Sequence, residues 1–456
     1  MLAPDVVLIY PPYEKPPNVS GRYCTCAPLG LCYLAKSLKK EGYSVSAIDC
    51  NVEDVDVVGY ILKKNPKIIG IYTTSPGLRY VKSLIGELRG RGVTSAIATG
   101  GPHITADIKS SEKLGADAYF IGEAENEFPK YCRKVINGGV DTNLRVGKTC
   151  SGEFNDEKHA PNIIFCGETD NISALEHPSR GVFTGKYGFT PLAASRGCPF
   201  NCVYCGMAGT KYRKRNIKDI EEEVEELKNH GVKKIELIDD SYTLDRDFSV
   251  VVAEILDERG ISFNCTTRAD LVDEQLIKSL SEKGLTHINF GVESGDYEVR
   301  KSLGKDIKDD TIIEAFRLCK RYGVKTTAYG IIGGPSETRE TILKTFSFIR
   351  GLNPDEIMYS PMIIHPKTNA YEMAVNEGVI EGDSWTRYME GIGDMPVYLP
   401  KNMSIDEVNE RIYLENKSFY FTSEKILKRI TSSRTVGEFG ENLAAGAIYL
   451  TSLFHK

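Results

Sequence analysis

SRGCPFNCVYC, residues 195–205, holds three of the chain's twelve cysteines at the spacing C-x3-C-x2-C. It follows the short apolar run PLAAS (191–195), which reads as a strand. Three thiolates this close suit a metal centre. A tetrahedral zinc site takes four protein ligands, so zinc here needs a distant fourth such as Cys166, Cys265 or a histidine. An iron–sulfur cube also has four metal corners, and three nearby thiolates hold three of them and leave one iron open. Unliganded core cysteines are the third reading.

Outward from this loop, apolar strands alternate with amphipathic helices. After PLAAS come KKIELID (233–239), ISFNCTT (261–267), THINFGVE (286–293), KTTAYGIIGG (325–334) and EIMYSPMII (356–364). The Glu-rich helix IEEEVEELKNHG suits the helix dipole and stops at Gly231. Six β/α units are too few for a closed eight-unit barrel. The pattern predicts an open partial (β/α)6 barrel over 188–368, with chemistry at the carboxyl ends of its strands. A mostly helical tail, 369–456, follows as substrate or lid domain.

Upstream, residues 1–140 repeat the alternation with DVVLIY (5–10), SVSAID (44–49), KIIGIYT (67–73), SAIATGG (95–101) and ADAYFIG (116–122). This α/β pattern predicts a parallel, doubly wound Rossmann-like (flavodoxin-like) domain, whose ligands lie beyond the carboxyl ends of the strands. Those ends hold Thr73-Thr74-Ser75, Gly100-Gly101-Pro102-His103 and Gly122-Glu123-Ala124-Glu125. Glycines there admit a ligand close to the backbone, and the hydroxyls can hydrogen-bond it. No G-x-G-x-x-G follows the first strand, which argues against a nucleotide pyrophosphate. Residues 141–187, with the polar stretch GKTCSGEFNDEKHAPN, read as a connector.

Composition narrows the class. A net charge of −6 gives no electrostatic case for nucleic acid or an anionic membrane. The longest nearly apolar run, Leu443–Phe454, is too short to span a bilayer and reads as a buried helix, so no transmembrane segment is expected. No leader peptide is evident. Cysteines this dilute indicate a reducing cytoplasm.

Taken together, these motifs resemble the radical S-adenosylmethionine (SAM) superfamily. The cysteine spacing carries the resemblance, and IDDSYT (238–243), TTRADLVDE (266–274), INFGVESGD (288–296) and YGIIGGPSET (329–338) follow in the family's order. APLGLCYLAKSLKKEGYSV (27–45), TGGPHIT (99–105) and FIGEAENEF (120–128) resemble the cobalamin-binding domain of its B12-dependent, class B methyltransferase-like members. The resemblance implies a [4Fe–4S] cluster on Cys198, Cys202 and Cys205, with SAM on the open iron. It implies SAM contacts at Glu293 (ribose), Arg268 (carboxylate, or a partner acid) and Gly333-Gly334-Pro335 (adenine). It places cobalamin along Thr73, Thr74, Ser75, Gly100, Gly101, Gly122 and Glu123. His103 lies outside any Asp-x-His-x-x-Gly and reads as a polar loop contact rather than a cobalt ligand. The lower cobalt face is left to the Thr73–Arg79 loop or Tyr23.

The implied activity is methylation of an unactivated carbon through a 5′-deoxyadenosyl radical and methylcobalamin, in an anaerobic cytoplasmic enzyme. Its implied partner is an external electron donor such as ferredoxin or flavodoxin. The substrate reads as a protein or peptide side chain, for instance in methyl-coenzyme M reductase. The rival readings are cyclisation or oxidation of a tetrapyrrole or lipid with the same cofactors, and a non-catalytic cobalamin-binding protein. Trp385, Tyr388, Tyr398, Tyr413 and Tyr420 could line a substrate pocket or fill the core.

Overall fold

The run VVLIY forms strand β1 (Val6–Tyr10), with its first four residues buried, as a strand covered on both faces requires. It sits inside a six-stranded parallel sheet with β2 (Val45–Asp49), β3 (Ile68–Tyr72), β4 (Ala96–Gly100), β5 (Ala118–Gly122) and β6 (Asn162–Gly167), in the order β2-β1-β3-β4-β5-β6. The first five strands lie where the apolar runs place them. The sixth falls within the segment read as a connector, where a single strand next to a polar stretch has no alternating neighbours to reveal it. The helix Leu29–Lys40 packs Leu31, Cys32, Ala35 and Leu38 against Val6, Leu8 and Ile68, and Gly42 follows it at φ +87°.

The computed structural model of the chain describes residues 3–12, 26–138, 162–400 and 402–421. Tyr23, Cys24, Cys150, most of the polar stretch and Leu443–Phe454 lie outside them. The described residues form two compact units, divided at 239/240, 363/364 and 396/397, so that 364–396 belongs with the N-terminal unit. No described helix is long and apolar enough to cross a membrane.

The N-terminal unit also holds β7 (Thr190–Leu192), β8 (Ser195–Arg196), β9 (Arg213–Lys214) and β10 (Lys234–Leu237). β7 pairs in parallel with β10, and β8 pairs antiparallel with β9. PLAAS is thus two strands. The Ala194 amide leaves the ladder for the carboxylate of Asp239 (3.0 Å), and the chain turns away into the cysteine loop. The second unit carries β11 (Ser262–Thr267), β12 (Leu285–Glu293), β13 (Lys325–Ile332) and β14 (Glu356–Ile363), parallel neighbours in that order. A short β15 (Val397–Tyr398) runs antiparallel to β14. All six barrel strands of the sequence reading are present. β15 was not expected in the helical tail, since two residues show no periodicity.

The Glu-rich helix, Ile217–Asn229, hides a charge network. Glu223 is fully buried and accepts from both Arg180 and Arg215. Arg180 also donates to the Pro191 carbonyl (2.7 and 3.0 Å), and Arg215 to the Ala193 carbonyl (3.1 Å). One turn away, Asp219 takes Arg215 at 2.6 Å and His177 at 3.1 Å, and Glu226 meets the other nitrogen of His177 at 3.0 Å. Asp219, then Glu226, outweigh burial and push the His177 imidazole up to about 9. A folded-state value above the unfolded 6.5 makes the contribution complete below pH 6.5 and lost as pH rises through about 9. Stability measured by urea unfolding is therefore expected to fall between pH 6.5 and 9, and His177→Gln to flatten that slope.

Residues 364–396 pack back on the first sheet. Trp385, almost wholly buried, donates from Nε1 to the Ile364 carbonyl (3.0 Å) and meets His103 edge-on at 5.5 Å. Tyr388 donates to the Pro76 carbonyl (2.9 Å), and the Arg79 guanidinium lies over its ring at 4.2 Å. Tyr398 is buried, and Tyr420 bonds both backbone groups of Ile357. These four aromatics are core or strand-binding residues.

Candidate functional site

The cysteine loop starts with strain that only glycine tolerates. Gly197 has φ +91°, and a Cβ there would collide with the Lys211 carbonyl. The loop then folds on its own backbone: Cys205 N–H donates to Cys202 O (3.1 Å), Ala208 N–H to Cys205 O (3.2 Å) and Gly209 N–H to Phe200 O (2.9 Å). Cys198 N–H donates to Thr210 Oγ1 (3.0 Å). The Met207 amide points at the Cys205 sulfur (3.4 Å), a contact that favours a thiolate. All three cysteines are half-buried, and none is in a disulfide. Among the described residues, no three His, Cys, Asp or Glu side chains converge on a point that one ion could fill. A cube suits such a loop better than zinc does, because each of its corners takes a separate thiolate.

In the same unit, the carboxyl ends of β3, β4 and β5 form a cradle. Thr73 Oγ1 and Thr99 Oγ1 are buried there without a hydrogen-bond partner among the described residues. An orphaned buried hydroxyl is costly, and a polar ligand that fills the cradle would relieve it. Gly101 (φ +110°) and Gly122 (φ +96°) line it, and a Cβ on either would press on backbone: Thr73 O at 2.9 Å, or Gly167 O at 2.6 Å. This floor fits the hydrogen-bonding tail of cobalamin. Thr99 was missed by sequence reasoning, although its place at a strand end matches that of Thr73.

Other cradle residues are already engaged. Thr74 Oγ1 accepts the Gly77 amide (3.2 Å). His103 is buried, with Nδ1 on Ser75 Oγ (2.9 Å) and Nε2 on Ser110 Oγ (3.1 Å). Burial pushes its imidazole down to about 4, so it is neutral at pH 7 with both nitrogens occupied. Glu123 binds Arg213 through both oxygens (2.7 and 2.9 Å) and accepts the Thr169 amide (2.7 Å). Arg79, from the loop read as a neighbour of the lower cobalt face, donates to the carbonyls of Tyr388 and Gly393.

The second unit brings three of its expected residues to strand ends. Glu293 closes β12 at φ +66°, unusual for a residue with a side chain, and is buried against Lys305 (2.8 Å). Lys305, also buried, was not anticipated; it lies twelve positions downstream, and no local pattern links the two. Arg268 follows β11 directly and binds Asp270 through Nε (2.9 Å) and Nη2 (2.8 Å). Gly333 (φ +101°) donates its amide to Glu337, and a Cβ on Gly333 would strike the Tyr398 carbonyl. Glu337 is buried, its Oε1 has no hydrogen-bond partner among the described residues, and burial pushes its carboxyl up to about 8. Its motif was recognised but the residue was not singled out. Gly334 (φ +134°) and Pro335 complete this turn.

Comparison with known proteins finds family matches over the two segments that carry these features. Residues 192–349 match the radical SAM superfamily model, and residues 19–131 match the B12 binding domain model. The chain is 27% identical over 447 residues to an uncharacterized methyltransferase of Pyrococcus horikoshii, covering 93% of this chain and 94% of that protein. It is 31% identical over 317 residues to an uncharacterized protein of Methanocaldococcus jannaschii, covering 67% and 68%. The radical SAM methyltransferase TsrM of Kitasatospora setae, solved with cobalamin and a [4Fe–4S] cluster bound, superposes with a TM-score of 0.71 at 15% identity over 99% of both chains. Two family matches over the segments that hold the cysteine loop and the strand-end cradle lead to one conclusion: the chain belongs to the cobalamin-dependent radical SAM superfamily and is an enzyme whose cofactors are a [4Fe–4S] cluster, SAM and cobalamin.

Proposed function

We propose that the protein is a C-methyltransferase acting on a carbon whose hydrogen no acid or base can remove. The observation that carries this reading is the presence, in one compact unit, of a three-cysteine loop and a separate strand-end cradle with orphaned hydroxyls. When bound, the cofactors supply one-electron cleavage of SAM and a transferable methyl group. Cys198, Cys202 and Cys205 hold the cluster. Thr73, Thr99, Ser75, Gly100, Gly101 and Gly122 floor the cobalamin cradle, with Thr74 and His103 shaping its rim. For SAM, Glu293 is the ribose residue. Lys305, held beside it, joins Arg268 as a source of positive charge for the SAM carboxylate. The turn Gly333-Gly334-Pro335 is the adenine wall. Electrons come from an external donor of the ferredoxin or flavodoxin kind.

As the methyl acceptor we propose a protein or peptide side chain, for instance in methyl-coenzyme M reductase. The test is anaerobic reconstitution with iron, sulfide and hydroxocobalamin, then incubation with SAM and a low-potential reductant. The expected result is 5′-deoxyadenosine, and a gain of one CH2 on an added protein fraction. Absence of 5′-deoxyadenosine would sink the enzyme reading. A product altered without that mass gain would replace methylation with cyclisation or oxidation.

A further inference from the structure

The cysteine loop is closed at its base by β8 and β9, and the residues facing each other across that pair are Arg196 and Arg213. Two guanidinium groups directly opposed on adjacent strands repel one another. The pair is tolerated because two carboxylates meet it, and both come from the loop that follows β5. Arg213 grips Glu123 with two parallel bonds (2.7 and 2.9 Å); Arg196 lies 3.3 Å from the same carboxylate and 2.9 Å from Glu125. Arg213 and Glu125 are buried, with side chains 4% and 7% exposed. The Arg196 guanidinium also sits over the ring of Tyr33, 5.2 Å from its centre, on the helix Leu29–Lys40. The grip extends to β6, because Glu123 donates its amide to Gly167 O (2.9 Å) and Arg213 donates to Thr169 O (2.8 Å).

The placement of these charges gives them a role. Arg196 stands two residues before Cys198, and Arg213 eight residues after Cys205. The chain enters and leaves the cysteine loop through this stem, and the loop has other anchors as well, such as the Ala370 amide on Val203 O (2.9 Å) and Lys211 on Asp170 (2.7 Å). The other end of the grip is the loop after Gly122, which lines the cradle. We propose that Arg196, Arg213, Glu123 and Glu125 form a clamp that fixes the cysteine loop to the carboxyl end of β5, with Glu123 as a positioning residue that holds the loop and does not bind cobalamin. Bidentate geometry and burial set this cluster apart from exposed ion pairs, which hold little in place. The inference rests on the reading above only where cobalamin is measured; the loop's own protection can be measured without it.

Hydrogen exchange of the Gly197–Tyr212 amides tests the clamp, alongside hydroxocobalamin binding, in the full chain. Glu123→Gln keeps the shape and loses the charge; Arg213→Lys keeps the charge and loses the second bond. Each is expected to speed exchange in the loop by about tenfold or more, with amides of β1 and β3 unchanged and hydroxocobalamin affinity within about twofold. The exchanged pair Glu123→Arg/Arg213→Glu is expected to recover most of the lost protection, and a merely space-filling role would not produce that recovery. Three results would overturn the proposal: a large loss of hydroxocobalamin affinity with loop exchange unchanged, faster exchange spread equally over β1 and β3, or no rescue by the exchanged pair.

Discussion

Cys198→Ser, Cys202→Ser and Cys205→Ser are each expected to yield a folded protein that retains cobalamin and makes no 5′-deoxyadenosine. The loop explains the first half of this result. Its backbone bonds, Cys205 to Cys202 O and Gly209 to Phe200 O, use no sulfur, so serine leaves its outline standing. The cradle residues at the ends of β3, β4 and β5 share no hydrogen bond with the three thiols among those described above. The second half follows from ligand count. Removing a residue that merely orients a metal ligand costs about 10–100-fold in affinity, so loss of a ligand should exceed about a hundredfold. Iron per chain, the cluster's visible absorbance and 5′-deoxyadenosine by chromatography check it. A variant with full iron and full cleavage would show that its cysteine is not a ligand.

Glu223→Gln is the substitution expected to cost most in stability. Its carboxylate is fully buried between Arg180 and Arg215, and both guanidinium groups also hold carbonyls of the β7 segment, at Pro191 and Ala193. An amide keeps the shape but leaves one buried and one half-buried cation short of one negative charge. Breaking a buried ionic cluster by removing one partner costs about 3–5 kcal/mol. Urea unfolding read by circular dichroism measures it, and a loss under about 1 kcal/mol would mean that water reaches the arginines. The damage would not stay local. β7 leads through Asp239's bond to Ala194 into the cysteine loop, so occupancy of the cluster is expected to fall along with stability.

Much of this architecture is legible in the sequence because its signals are local. Strands buried on both faces write themselves as apolar runs, and the five of the first sheet and six of the second series are found where those runs lie. The three cysteines declare themselves by spacing. The hidden part is pairing across distance. Glu223 sits in a run of glutamates that looks like a solvated helix start, and only the fold shows which of them turns inward. Glu123 reads as a ligand group because it follows a strand end, yet its partners, ninety residues on, engage both of its oxygens. Lys305 carries no motif, and Thr99 lies in one without being singled out; each gains meaning from its surroundings in the fold. The tail's aromatics suit a pocket or a core equally well, and burial decides between the two.

The return of residues 364–396 to the N-terminal unit also bears on how the chain is made. Domains fold as they emerge from the ribosome, usually from the N-terminus onward. Here Trp385 and Tyr388 complete the surroundings of His103 and the Pro76 turn, so the cradle's outer wall is missing until synthesis has passed Gly393. From the end of β6 at Gly167, the first sheet waits through more than two hundred residues of growth for these contacts. The cradle's surroundings are therefore complete only late in translation or after release.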